Sequence, residues 1–244
     1  MNDKAAWKQR YDNYKYAMLF KIRTGRGAVG IRKYYCGWQT FTKLANGNIR
    51  YLMELIYKAY EKSLREEERD WNESIDYRTQ TVAAHEIGHK NLMELESLEN
   101  NAPRVTKMLL GLGRIFQLIA SSDSSNAPEL NQISLGNSES LSGECKAILD
   151  TAVMNLALVR FAGNKLAQTQ IQDYEYMIHP IFSAYFEISH RRKRKIMLDQ
   201  TELLGLADKP KEYIKMILNK SFKETLSQIE QPTQMSLFEG YLSD

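Results

Sequence analysis

Between Leu130 and His179 the spacing of apolar residues changes, and that change limits the folds open to the chain. Upstream, Val105, Met108, Leu109, Leu112, Ile115, Phe116 and Ile119 recur at the three-and-four interval that lines one face of an α-helix. Leu130 to Leu135 instead alternates, as a half-buried strand does, and Ser142 to Val159 returns to helical spacing. Ala157 to Phe161 and Asp173 to His179 read as two further strands, separated by the polar stretch Gly163 to Gln172. A helix, two strands and the loop between them, in that order, are what a winged-helix unit needs. The expected fold class is therefore mainly α with a small β-wing.

The remaining segments read as helix. Trp38, Phe41, Leu44, Ile49, Leu52, Leu55, Ile56 and Tyr60 predict a helical pair interrupted at Asn46-Gly47-Asn48. Glu61 to Glu73 is dominated by charge and suits the exposed end of a long helix with i,i+4 pairs. Val82, Ile87, Leu92, Leu95 and Leu98 give another helical period after Thr79 and Thr81, closed by Asn100-Asn101-Ala102-Pro103, and Leu203 to Leu218 adds a last helix. At the N-terminus, Trp7, Tyr11, Tyr14 and Met18 form the stripe of a basic helix reaching about Arg23. Two subdomains are expected, split near Trp71 to Gln80.

Lys and Arg number 33 against 30 Asp and Glu, a formal charge of +3, so a nucleic-acid surface has to come from the placement of charge. No run of about 18 apolar residues is present, and the polar N-terminus lacks the centre of a secretory signal, so no membrane partner and a cytoplasmic location are expected. Cys36 and Cys145 have no Cys/His companions, which excludes a disulfide framework and a thiolate zinc site.

Three motifs bear on chemistry. His85-Glu86-Ile87-Gly88-His89 satisfies H-E-x-x-H, a pattern in which histidines at i and i+4 share a helix face and could bind zinc, with Glu86 as the general base toward metal-bound water. Its continuation departs from the metzincin pattern at Leu92, and a third ligand would have to be a carboxylate such as Glu94, Glu96 or Glu99. The expectation is no metal, with two polar-face histidines on an interaction helix; a zinc-dependent hydrolase is the alternative. Gly25-Arg26-Gly27-Ala28-Val29-Gly30 matches G-x-G-x-x-G, but a basic helix precedes it, and Asn46, Asn48 and Arg50 stand where a dinucleotide site needs an acid. A cationic interhelical loop is the expectation there. His190 followed by Arg191, Arg192, Lys193, Arg194 and Lys195 places five fixed charges in succession, a run that neutralises phosphates and gives salt-sensitive, largely sequence-independent affinity. Lys107 and Arg114, two helical turns apart, are secondary candidates, with Arg104 beside them.

Tyr34-Tyr35-Cys36-Gly37-Trp38 through Leu44-Ala45-Asn46-Gly47-Asn48-Ile49-Arg50-Tyr51-Leu52 resembles the helical lid of bacterial AAA+ ATPases of the origin-recognition-complex and cell-division-cycle initiator kind. The resemblance continues through Gly88 to Leu92, Leu110-Gly111-Leu112-Gly113-Arg114-Ile115-Phe116, Pro128-Glu129-Leu130-Asn131-Gln132, His179-Pro180-Ile181-Phe182 and Ser189 to Lys195. It implies that Arg50 is a sensor 2 arginine directed at a nucleotide γ-phosphate, and that a winged-helix domain binds duplex DNA. It also implies a lid-like subdomain over 1–75, a winged-helix-like domain over 76–220 and a C-terminal helix end and tail over 221–244.

The 244 residues contain no G-x-x-x-x-G-K-[ST] loop, so the chain alone is expected to be non-catalytic. It is expected to bind no cofactor by itself, ATP and Mg²⁺ entering only with a core AAA+ module. The tail Gln234-Met235-Ser236-Leu237-Phe238 is similar to the peptide by which bacterial replication proteins dock on the sliding clamp, Leu237 and Phe238 entering an apolar pocket and Gln234 fixing register. A protein-interaction component of an anti-phage assembly is the third functional class.

Overall fold

The computed structural model describes residues 4, 7, 8, 10, 11, 33–66, 70–98, 101–121, 129–136, 141–166 and 172–221. From Trp38 onward the described elements are α1 (Trp38–Ala45), α2 (Ile49–Glu66), α3 (Tyr77–Glu96) and α4 (Ala102–Ser121). Then follow β1 (Leu130–Leu135), α5 (Gly143–Met154), β2 (Leu158–Leu166), β3 (Gln172–Ile178), a 3-10 turn (Pro180–Phe182), β4 (Arg194–Leu198), α6 (Gln200–Asp208) and α7 (Pro210–Ser221). The molecule is mainly helical with one small four-stranded sheet, consistent with a helical lid and a winged-helix-like unit.

Local chemistry accounts for the boundaries. Asn46 (φ 49°) and Gly47 (φ 84°) reverse the chain between α1 and α2, which puts the interruption where the sequence places it. Asp76 caps α3 by accepting from the Arg78 N–H, Ser142 caps α5 through the Cys145 N–H, and Asp199 with Glu202 forms a reciprocal capping box on α6. The helix expected over Leu203 to Leu218 is two helices, because Pro210 has no N–H to continue α6 and instead opens α7. Strand β2 runs through Leu166, further than Phe161, so the hairpin takes up part of the stretch expected as loop.

The sheet order is β2-β3-β1-β4. β2 and β3 form an antiparallel hairpin, β3 pairs antiparallel with β1, and β4 lies parallel to β1. Alternation sorts the faces: Arg160, Tyr176, Ile133 and Ile196 share one rung, and Phe161, Glu175, Ser134 and Met197 the next, pointing the other way. Tyr176, Ile133 and Ile196 join the core, whereas Met197 is 67% exposed. The fourth strand is a departure from the expected wing, since it contains the end of the basic run.

One contiguous core extends from Tyr35 to Leu218. Helix α4 is its axis and is buried at every position from Met108 to Ile119, so its apolar stripe is in fact the whole circumference. Helix α2 differs from expectation in the opposite sense. Tyr51, Leu55 and Ala59 face inward, while Ile49 and Tyr60, with Trp38 of α1, are exposed. Its charged flank faces α3 instead: Lys58 and Lys62 meet Glu86 at 3.3 and 2.8 Å, and Lys90 meets Glu54 at 3.2 Å.

The 3-10 turn and the residues after it fit between helices only where side chains are missing. A Cβ on Gly113 would sit 2.3 Å from the Phe186 ring, and one on Gly88 3.0 Å from the Ile181 carbonyl oxygen. Gly113→Ala is therefore expected to destabilise the protein by about 1–3 kcal/mol through overpacking. Gly143→Ala, where nothing lies within 4 Å, should leave stability unchanged or raise it. Urea denaturation of the two variants checks both expectations.

Candidate nucleic-acid interface

The five cations from Arg191 to Lys195 do not form a uniform patch. Arg192 donates to Gln132 at 2.7 Å, pairs with Glu175 and lies over the Phe161 ring at 4.6 Å. Lys195 also pairs with Glu175, whose side chain is 8% exposed. The hydrogen bond from Lys195 and the pairing with Arg192 hold that carboxyl below its ordinary range against the opposing effect of burial. Lys193 lies 3.7 Å from Glu129. Arg191 and Arg194 are exposed, and no ion pair joins either to another described residue. A register shift between Leu130 and Gln132 keeps both Arg194 and Lys195 on the surface at the start of β4.

His190, at the head of the run, is half-buried. Burial, with Lys33, Arg191, Lys43 and Lys193 adding repulsion, pushes it down to about 4. Helix α5, which precedes the hairpin, presents Glu144, Lys146, Ala147 and Met154 to solvent. Asp150 on the same helix pairs with Arg160 at 3.5 Å. The basic surface thus belongs to the loop and edge strand rather than to that helix.

The other candidates are dispersed. Arg50, in the first turn of α2, has a half-exposed side chain, donates to Glu94 at 3.2 Å and Asn91 at 3.3 Å, and lies 3.5 Å from Glu54. Lys107 is half-buried on α4. Arg114 is 8% exposed and donates to Gln117 at 2.8 Å, because the helix that carries it is central rather than superficial. Lys107 and Arg114 therefore do not share an exposed face. Arg104 is occupied by Asp208 at 2.7 Å and Glu144 at 2.8 Å, tying α4 to α5 and α6.

His85 and His89 face inward, with ring centroids 5.3 and 5.4 Å from Tyr185, the second pair stacked. Both are half-buried. Glu86 is held by Lys58 and Lys62. Among the described residues no group of three or more His, Cys, Asp or Glu side chains is placed to hold a metal ion. Gly25 to Gly30 and the tail residues Gln234, Leu237 and Phe238 lie outside the described residues. No helix among those described is long and apolar enough to cross a membrane.

The side chains that organise the basic segment, Glu129, Asn131, Gln132 and Glu175, were not expected as site residues, although the first three fall within a block that carries the family resemblance. A signal existed: Asn is disfavoured in strands, and two side-chain amides in succession inside a short buried strand need partners.

The helical frame with its hairpin-bearing sheet is consistent with a helical lid and a winged-helix-like unit. The family described as ORC-CDC6-like matches residues 1–198, and the chain belongs to that family. It is thereby related to the AAA+ initiators. No curated protein and no solved structure matches the chain.

Because both histidines pack against the Tyr185 ring, His85→Ala is expected to lower thermal stability without changing metal content. Elemental analysis of wild type and variant checks this, and one zinc per chain lost on substitution would restore the hydrolase reading.

Proposed function

We propose that the chain is a non-catalytic lid and winged-helix portion of an initiator-like AAA+ ATPase and binds duplex DNA through its basic edge. The observation that carries this reading is the exposure of Arg191 and Arg194, free of carboxylate partners among the described residues, at the rim of a packed sheet. Fixed guanidinium groups there meet phosphates without first giving up an ion pair. Arg192, Lys193 and Lys195 contribute less direct contact, since each already neutralises an acid. Membership of the ORC-CDC6-like family supports DNA and a core AAA+ module as partners.

Arg50 is the nucleotide-sensing arginine in this reading. Its half-exposed guanidinium sits among Glu54, Lys90, Asn91 and Glu94, a polar site at the edge of α2 and α3 where a γ-phosphate from a core module would replace the carboxylates. ATP and Mg²⁺ would be bound by that module and not by this chain. The tail would dock on a sliding clamp through Gln234, Leu237 and Phe238.

Replacing Arg191 and Arg194 together with alanine should reduce the slope of log affinity against log salt by about 1.8, roughly 0.9 per lost phosphate contact, and weaken all duplex sequences alike. Fluorescence anisotropy at several salt concentrations measures both, and an unchanged slope in the folded double variant removes the interface. Leu237→Ala with Phe238→Ala should leave DNA affinity intact and abolish binding to purified clamp in a pull-down.

A further inference from the structure

The segment from Ser189 to Lys193 is held to β1 by side chains rather than by a strand ladder. Asn131, 1% exposed, donates from Nδ2 to the Ser189 and Arg191 carbonyl oxygens, both at 2.7 Å. Its Oδ1 accepts the Lys193 N–H at 2.9 Å. Gln132, 3% exposed, donates to the Lys193 carbonyl and accepts from Arg192 Nε. Glu129 pairs with Lys33 and lies near Lys193. The register shift between Leu130 and Gln132 takes Asn131 out of regular pairing with β4, and its amide fastens the loop instead.

Three main-chain groups fixed by one buried amide, and a fourth by the next residue, remove most of the freedom of a short loop. A surface that is ordered before binding does not have to lose that conformational entropy on meeting its ligand. Arg192 fixes the loop from its outer side, suspended between Gln132, Glu175 and the Phe161 ring. The loop carrying Arg191 and leading into Arg194 is thereby held in one conformation.

We propose that Asn131 and Gln132 are positioning residues that preset Arg191 and Arg194 as a rigid pair for the phosphodiester backbone of duplex DNA. The proposal rests on the DNA-binding reading above. Neither side chain needs to touch the nucleic acid, and both act through the loop they hold.

The test uses the full chain and a fluorescein-labelled duplex, titrated at several salt concentrations below the melting temperature of each variant. Asn131→Ala should weaken binding roughly five- to thirty-fold at physiological salt and flatten the salt slope by about 1–2, although every cation remains present. Adding Asn131→Ala to the Arg191→Ala/Arg194→Ala pair should cause no further loss. Gln132→Ala should show a smaller effect of the same kind, and it supplies the answer if Asn131→Ala does not fold. A lower melting temperature with unchanged affinity and slope makes both residues merely structural and overturns the proposal. If the arginine pair matters while neither β1 variant changes the slope, the DNA-binding reading stands and this inference falls. If wild type shows no salt-dependent binding at all, both fall.

Discussion

The turn from Pro180 to Ile188 is where helices and sheet become one body. Phe186 lies against Gly113 of α4, the Ile181 carbonyl and Tyr185 press on Gly88 of α3, and Tyr185 also covers His85 and His89. The Tyr35 hydroxyl, before α1, donates to the carbonyls of Ser183 and Ile188, the latter at 2.6 Å, so the chain ahead of that helix is pinned to the same turn. His179, 1% exposed, caps the turn by accepting the Ile181 N–H, and burial pushes its pKa down to about 4. It stays neutral and serves as an acceptor. Because Ser189 to Lys193 follows directly, the geometry of the basic edge is inherited from this packing.

Electrostatics then divides the cations by function. Several basic residues that look equivalent in sequence have structural duties: Arg104 joins three helices, Lys33 and Lys193 neutralise Glu129, and Arg192 and Lys195 neutralise Glu175. A buried carboxylate without such partners would be strongly unfavourable, so these ion pairs are conditions of the fold. What is left over for a polyanion is much smaller than the run of charge suggests, and it is localised.

Elements set by local signals were legible in the sequence. The Asn46-Gly47 reversal, β1 at Leu130 to Leu135, and the hairpin strands follow from turn chemistry and periodicity. Where tertiary packing decides, periodicity misled: α4 shows a helical stripe although every side of it from Met108 to Ile119 is covered, and Ile49 and Tyr60 fit an apolar period yet face solvent. Strand β4 was hidden in the run Arg194-Lys195, whose charges mark an edge rather than a loop. The H-E-x-x-H spacing was real as geometry, His85 and His89 do share a face, but that face meets Tyr185. Partners such as Glu175, some twenty residues before the cations it binds, cannot be read from spacing alone, because the register of β3 against β1 and β4 brings them together.

The central claim is that duplex DNA meets the loop and edge strand and not the helix ahead of the hairpin. Hydrogen–deuterium exchange of the chain with and without a duplex tests it most directly. The account predicts slowed exchange confined to residues 189–198, with α5 unchanged. Protection of α5 around Lys146 and Thr151, with none at 189–198, would contradict it.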